Sequence, residues 1–122
     1  LLWPETFMNL SGRSVAAAVR FYKLQLDHVL VICDDLSLPV GKLRLRPNGS
    51  SGGQKGLQDT INQLGCPDFP RLRVGIGATP EHWQTTDYVL GRFDAREQPL
   101  MDIATVKAAD AVLCWMSQGI TA

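Results

Sequence analysis

Four groups of residues in this chain are of types that do chemistry. Two neighbouring carboxylates, Asp34 and Asp35, follow an uninterrupted apolar run from Val29 to Cys33. A carboxylate so placed can orient a base or move a proton, and paired Asp residues also start turns or cap helices. Asn9 stands beside two large apolar residues, Phe7 and Met8, where its amide can anchor a ligand or serve a turn. The run Asn48-Gly-Ser-Ser-Gly-Gly-Gln-Lys-Gly56 is a Gly-rich loop whose backbone N–H groups can hold an anion or form a flexible turn. It is not a phosphate-binding P-loop, because Gln54 precedes Lys55 and Gly56 replaces the required Ser or Thr. The fourth group is basic. Between Lys42 and Arg73 lie six cations (Lys42, Arg44, Arg46, Lys55, Arg71, Arg73) against two acids, Asp59 and Asp68, although the whole chain has net charge zero. Such a region suits a phosphate backbone, or is an ordinary solvated face.

These residues need elements to position them. The run Val29–Cys33 predicts a strand buried on both faces, with Asp34 and Asp35 where it emerges. Ligands bind at that edge of open α/β sheets. Lys42-Leu-Arg-Leu-Arg46 alternates strictly, which predicts a strand with Leu43 and Leu45 inward and a cationic ladder outward. Arg71-Leu-Arg-Val-Gly-Ile-Gly77 alternates as well, with Arg71, Arg73, Gly75 and Gly77 on one face. The two glycines leave room there for another backbone or a ligand. Three helices are expected. The first is capped by Ser11 and buries Val15, Ala18, Val19 and Tyr22; the second buries Leu57, Ile61 and Leu64. The third follows Asp94 and Glu97, which have capping-box spacing, and runs to about Gln118 with Gly119 as its C-cap. Its inner stripe is read as Leu100, Ile103, Ala104, Ala108, Ala111, Val112 and Trp115.

A length of 122 residues, 45% hydrophobic and 20% charged, describes one globular α/β domain. No apolar run approaches the roughly 20 residues of a membrane helix, and no signal-peptide pattern opens the chain. Cys33, Cys66 and Cys114 are odd in number and far apart, as in a reduced cytosolic protein without a metal motif. The chain opens Leu1-Leu2-Trp3-Pro4 without an initiator Met, as a fragment would.

Five motifs taken together resemble one family. Thr6-Phe-Met-Asn-Leu-Ser-Gly12, Asp34-Asp-Leu-Ser-Leu-Pro39, Gly52-Gly-Gln-Lys-Gly-Leu57, Phe69-Pro-Arg-Leu-Arg-Val-Gly-Ile-Gly77 and Tyr88-Val-Leu-Gly91 occur in the order found in the bacterial-type peptidyl-tRNA hydrolases. The resemblance implies a mixed, mostly parallel sheet sandwiched between helices, in a single domain lacking its N-terminal strand. It implies hydrolysis of the ester joining a peptide to the 3′ ribose of tRNA, which recycles tRNA during translation. In that family a His near the N-terminus activates a water and an Asp orients the His; Asp34 matches the Asp. Asn9 matches the Asn that holds substrate, with Phe7 and Met8 lining the same cleft. Gly53 and Lys55 fall in the substrate loop, and Arg46 and Arg73 match positions that grip tRNA phosphate. The implied partner is tRNA. No metal, cofactor or membrane is called for, and the complete protein is expected to be a cytoplasmic monomer, or plastid-borne if from a plant.

The chain departs from the family pattern in places. Gln54 and Lys55 stand where the family loop usually carries His and Asn, and Cys33 replaces a common His and is expected to pack as core. The family's catalytic His, with its Gly-Asn-Pro-Gly turn, has no counterpart in these residues. His28 precedes Asp34 by six residues, roughly 20 Å of extended chain at about 3.3 Å per residue; His82 lies in a loop. The alternative is a catalytically inactive RNA-binding scaffold of the same fold, like the plastid intron-splicing proteins. A nucleotide-binding domain using the Gly-rich loop is disfavoured by the failed P-loop spacing.

Overall fold

Helix, strand and turn follow one another as the apolar spacing requires. The computed structural model describes residues 11–79, 88–89 and 91–119. Helix α1 spans Ser11–Tyr22, a 3-10 turn Leu26–His28, strand β1 Val31–Asp35 and strand β2 Leu43–Arg46. Helix α2 spans Lys55–Leu64, strand β3 Arg71–Gly75 and helix α3 Glu97–Gln118. The strands form a mixed sheet in the order β1-β3-β2, so the fold is α/β. The chain divides into two compact units, Leu1–Cys33 with Leu45–Leu72, and Asp34–Arg44 with Arg73–Ala122.

In the first unit α1 packs on α2. Cys33, Leu57 and Phe69 form the core, with Leu26, Val31, Ile61 and Leu64 packed against them. The α2 face expected from Leu57, Ile61 and Leu64 is therefore the observed one, and Cys33 packs as a small apolar residue. The α1 face differs from expectation. Gly12 and Ala16 are its buried residues, whereas Tyr22 is exposed. The inner line follows the residues that let the two helices approach, and Tyr22 sits at the helix end. Ser11 lies inside α1, not before it. The Gly12 N–H, one of the donors that a helix start leaves unpaired, is met from α2 by Asp59 Oδ2 at 2.7 Å.

β1 corrects the first strand prediction in two ways. It starts two residues later, because the Val29 N–H returns to the Leu26 carbonyl and closes the 3-10 turn. It ends two residues later, because the Asp35 carbonyl accepts the Ile76 N–H. It is also not buried on both faces. Cys33 and Asp35 point inward while Ile32 is half exposed. Among the described strands, the middle one, buried along nearly its whole length, is β3. Arg71 and Arg73 are buried with it, so the solvated basic face expected there is absent from β3. β2 follows prediction: Leu43 and Leu45 are half-buried, and Lys42, Arg44 and Arg46 are exposed.

In the second unit Leu38, Ile76 and Ala104 are buried. The space left by Gly75 is filled by the chain itself. A Cβ there would fall on the Pro39 carbonyl and the Leu38 side chain. The capping box of α3 is formed as its spacing predicts. Asp94 Oδ1 accepts the Glu97 N–H at 2.9 Å, and Glu97 Oε1 accepts the Asp94 N–H at 3.1 Å. Gly119, at φ 81°, caps the other end with its N–H on the Trp115 carbonyl. The inner line of α3 runs through Glu97, Met101, Ala104, Ala108, Ala111 and Trp115, spaced alternately four and three residues apart. Leu100 and Ile103 lie off that line and are exposed, contrary to the predicted stripe.

Candidate functional site

The Asp pair is divided by the strand into two different environments. Asp34, fourth residue of β1, is half-buried, while Asp35 is 7% exposed. Asp35 Oδ1 accepts the Ser37 N–H at 2.8 Å and the Ser37 hydroxyl at 2.6 Å, which makes an Asx-turn. Its Oδ2 lies 3.6 Å from Arg73 Nη1. The turn that follows Asp34 is thereby tied to β3. Burial alone would raise the Asp35 pKa, but the two Ser37 hydrogen bonds and the charges of Arg73 and Arg44 outweigh it and hold it below the ordinary value.

That direction fixes a pH dependence. A carboxyl group whose folded pKa is lowered contributes stability that is complete above its unfolded pKa, about 3.9. The contribution is lost as pH falls through the lowered folded value. Asp35→Asn is expected to lower stability at pH 7 by about 1.5–3 kcal/mol, the range for hydrogen bonds to charged groups. It should also flatten the acid limb of a plot of melting temperature against pH. Equal acid limbs in both proteins would show that Asp35 is not the group responsible.

The resemblance assigned Arg73 to tRNA phosphate. Its side chain is 10% exposed and engaged with Asp35, an ion-pair partner that the alternation of β3 gave no means of seeing. Arg46 is exposed on the outer face of β2, its Nη1 3.5 Å from the Leu45 carbonyl, and shares that face with Lys42 and Arg44.

The Gly-rich loop leads into α2 through two left-handed glycines, Gly52 (φ 60°) and Gly53 (φ 89°), conformations a side chain would strain. The Gly53 N–H reaches Ser51 Oγ at 3.3 Å, and the Gln54 N–H reaches the Ser51 carbonyl at 3.2 Å. Gln54 is the N-cap, its Oε1 accepting the Leu57 N–H at 2.6 Å. Gln is not a preferred capping type, so this role was not read from the sequence. Lys55 opens the helix and is exposed, with no acidic residue in the first turn. A cation at the positive end of a helix costs the helix about 0.3–1 kcal/mol, and the two together attract an anion.

Gly53, Lys55 and Arg46 belong to the first unit; Asp34 and Arg73 belong to the second. Phe7, Met8, Asn9 and His82 lie outside the described residues. His28 closes the 3-10 turn three residues before β1 and is exposed. Among the described residues no three His, Cys, Asp or Glu are grouped to hold a metal ion. No described helix is long and apolar enough to cross a membrane.

Comparison with known proteins adds the following. A family model described as peptidyl-tRNA hydrolase matches residues 1–122. A peptidyl-tRNA hydrolase of Rhodopirellula baltica is 52% identical over 121 residues, covering 99% of this chain and 64% of the relative. One from Syntrophomonas wolfei is 48% identical, covering 100% of this chain and 66% of the relative. The crystal structure of peptidyl-tRNA hydrolase from Acinetobacter baumannii superposes with a TM-score of 0.85 at 34% identity, over 97% of this chain and 62% of that one. The chain thus spans just under two thirds of the length of these relatives.

Proposed function

The chain belongs to the peptidyl-tRNA hydrolase family, and on that premise we propose that the protein hydrolyses the ester between a peptide and the 3′ ribose of tRNA. In this reaction the oxygen of a water bonds to the ester carbonyl carbon while a base takes one of its protons. The bond from that carbon to the ribose oxygen then breaks, and the ribose oxygen takes up the proton. The products are tRNA with a free 3′ hydroxyl and the peptide acid, which gives its remaining proton to solvent and leaves as the carboxylate. Asp34 has the role of orienting the base, fixing its tautomer and stabilising the charge that develops on it. None of these 122 residues matches the position of the family's catalytic His. Gly53 and Lys55 meet the substrate, the ammonium donating to an oxyanion or phosphate. Asn9 holds the substrate near the scissile ester, with Phe7 and Met8 beside it. The observation that carries this reading is the family match along the whole chain; the role of Asp34 comes from the resemblance of its motif to the family's.

Release of labelled peptide from peptidyl-tRNA, with the tRNA recovered intact, tests the reading; a folded full-length protein that releases none overturns it. The tRNA contact has its own test. Arg46 carries the phosphate role because it is exposed on a cationic face. Each phosphate contact contributes about 0.7–0.9 to the slope of log affinity against log salt. Arg46→Ala is expected to lower that slope by about one without altering preference among tRNAs. Replacement of Arg73, held by Asp35, is expected to cost stability and leave the slope in place. An unchanged slope in Arg46→Ala removes Arg46 from the interface.

A further inference from the structure

A loop of Asn, Gly and Ser from residue 48 to 53 has the composition of a flexible linker. A substrate contact carried on it must nonetheless be held within a fraction of an ångström to be useful. The side chain that holds it comes from β3. Arg71 is 1% exposed, and its fork of donors is spread over backbone carbonyls from two segments. Nη1 donates to the Gly49 carbonyl at 2.6 Å and to the Ser50 carbonyl at 3.3 Å. Nη2 donates to the Pro67 carbonyl, and Nε to the Phe69 carbonyl at 3.2 Å. The guanidinium lies 4.5 Å over the buried Phe69 ring.

From this clamp a line of hydrogen bonds continues toward the helix. Ser51, itself buried, receives the Gly53 and Gln54 N–H groups, and Gln54 receives that of Leu57. Lys55 follows Gln54 as the first residue of α2. We propose that Arg71 is a positioning residue for substrate binding, holding Gly49 and Ser50 so that Gly53 and Lys55 are presented to peptidyl-tRNA; this rests on the substrate role assigned to the loop above. Arg suits the task and Lys does not. The planar guanidinium presents five donors in a fixed geometry, whereas an ammonium is a single point with three donors. Arg71 touches no substrate.

A purely structural Arg71 would lower stability and the active fraction, leaving KM alone. A positioning Arg71 raises KM, and does so through Lys55. The full-length protein with Arg71→Lys, Arg71→Gln, Lys55→Ala and the double variant Arg71→Lys/Lys55→Ala is therefore assayed for kcat, KM and melting temperature. Arg71→Lys is expected to raise KM about tenfold, within the range that small misplacements cost, with kcat within about twofold per folded molecule. In the Lys55→Ala background the same change should raise KM less than about twofold, the non-additivity of residues acting as one unit.

Unchanged KM in folded Arg71→Lys, or an equal rise in both backgrounds, overturns the proposal while leaving the loop's substrate role intact if Lys55→Ala alone raises KM. If Lys55→Ala alone leaves KM unchanged, the substrate role of Lys55 fails, and the proposal that rests on it falls with it. Should the Arg71 variants not fold, hydrogen exchange in the unaltered protein decides. Gly53 and Gln54 amides exchanging as slowly as those inside α2 support the clamp, and exchange at the rate of an open peptide overturns it.

Discussion

Replacing Asp34 by Asn is expected to lower turnover of peptidyl-tRNA by about 10²–10⁴-fold, the range a positioned acid–base group contributes. Affinity for tRNA should change less than about twofold. The substitution preserves shape and removes the charge, so it tests what the carboxylate does. A carboxylate holds an imidazole in one tautomer and stabilises the cation formed when that imidazole takes a proton from water; an amide does neither well. The surroundings of Asp34 are built to keep it in place. It is the next-to-last residue of β1, and its neighbour Asp35 is locked by Ser37 and Arg73. Asp35→Asn separates the two roles, because it should reduce stability with a far smaller effect on the rate per folded molecule. Parallel losses of turnover and tRNA affinity in Asp34→Asn would instead make Asp34 part of the binding surface.

The second large effect is expected at Lys55. Removing it as Lys55→Ala should raise KM by about 10–100-fold, since hydrogen bonds to a charged group are worth about 1.5–3 kcal/mol. Lys55→Asn, which restores the residue the family loop usually carries, should recover most of that loss. The salt response distinguishes the two good versions. Lys55 is an exposed cation at the start of a helix, so its KM should rise more steeply with ionic strength than that of Lys55→Asn. Kinetics in low and high salt for the three proteins supply the comparison. Identical KM values for Lys and Ala would remove this side chain from the substrate contact.

Local patterns were legible where one rule acted alone. The reciprocal bonds of Asp94 and Glu97, the Gly119 cap, the buried face of α2 and the outward cations of β2 all follow from spacing within a few residues. Long-range partners were not legible. Alternation put Arg71 and Arg73 on an outer face, and only the fold supplies the four carbonyls and the Asp35 carboxylate that allow two guanidinium groups to be buried. The edges of β1 moved by two residues for the same kind of reason. Val29 is claimed by the turn before it and Asp35 by the strand beside it. As for the candidate site, an Asp pair after an apolar run is too common to reveal a catalytic role by itself. Asp34 could be singled out only because five motifs stood in family order, and the cap formed by Gln54 was hidden because Gln seldom serves there.

In the proposed reaction water, activated by a base that Asp34 orients, cleaves the ester of peptidyl-tRNA. A single-turnover reaction of the full-length protein, in excess over peptidyl-tRNA, in water enriched in oxygen-18, tests this step. Complete release of peptide is expected, with one labelled oxygen in its new carboxylate and none in the tRNA 3′ terminus. Binding of peptidyl-tRNA with the ester left intact would contradict it, and would identify the protein as an RNA-binding member of the fold without turnover.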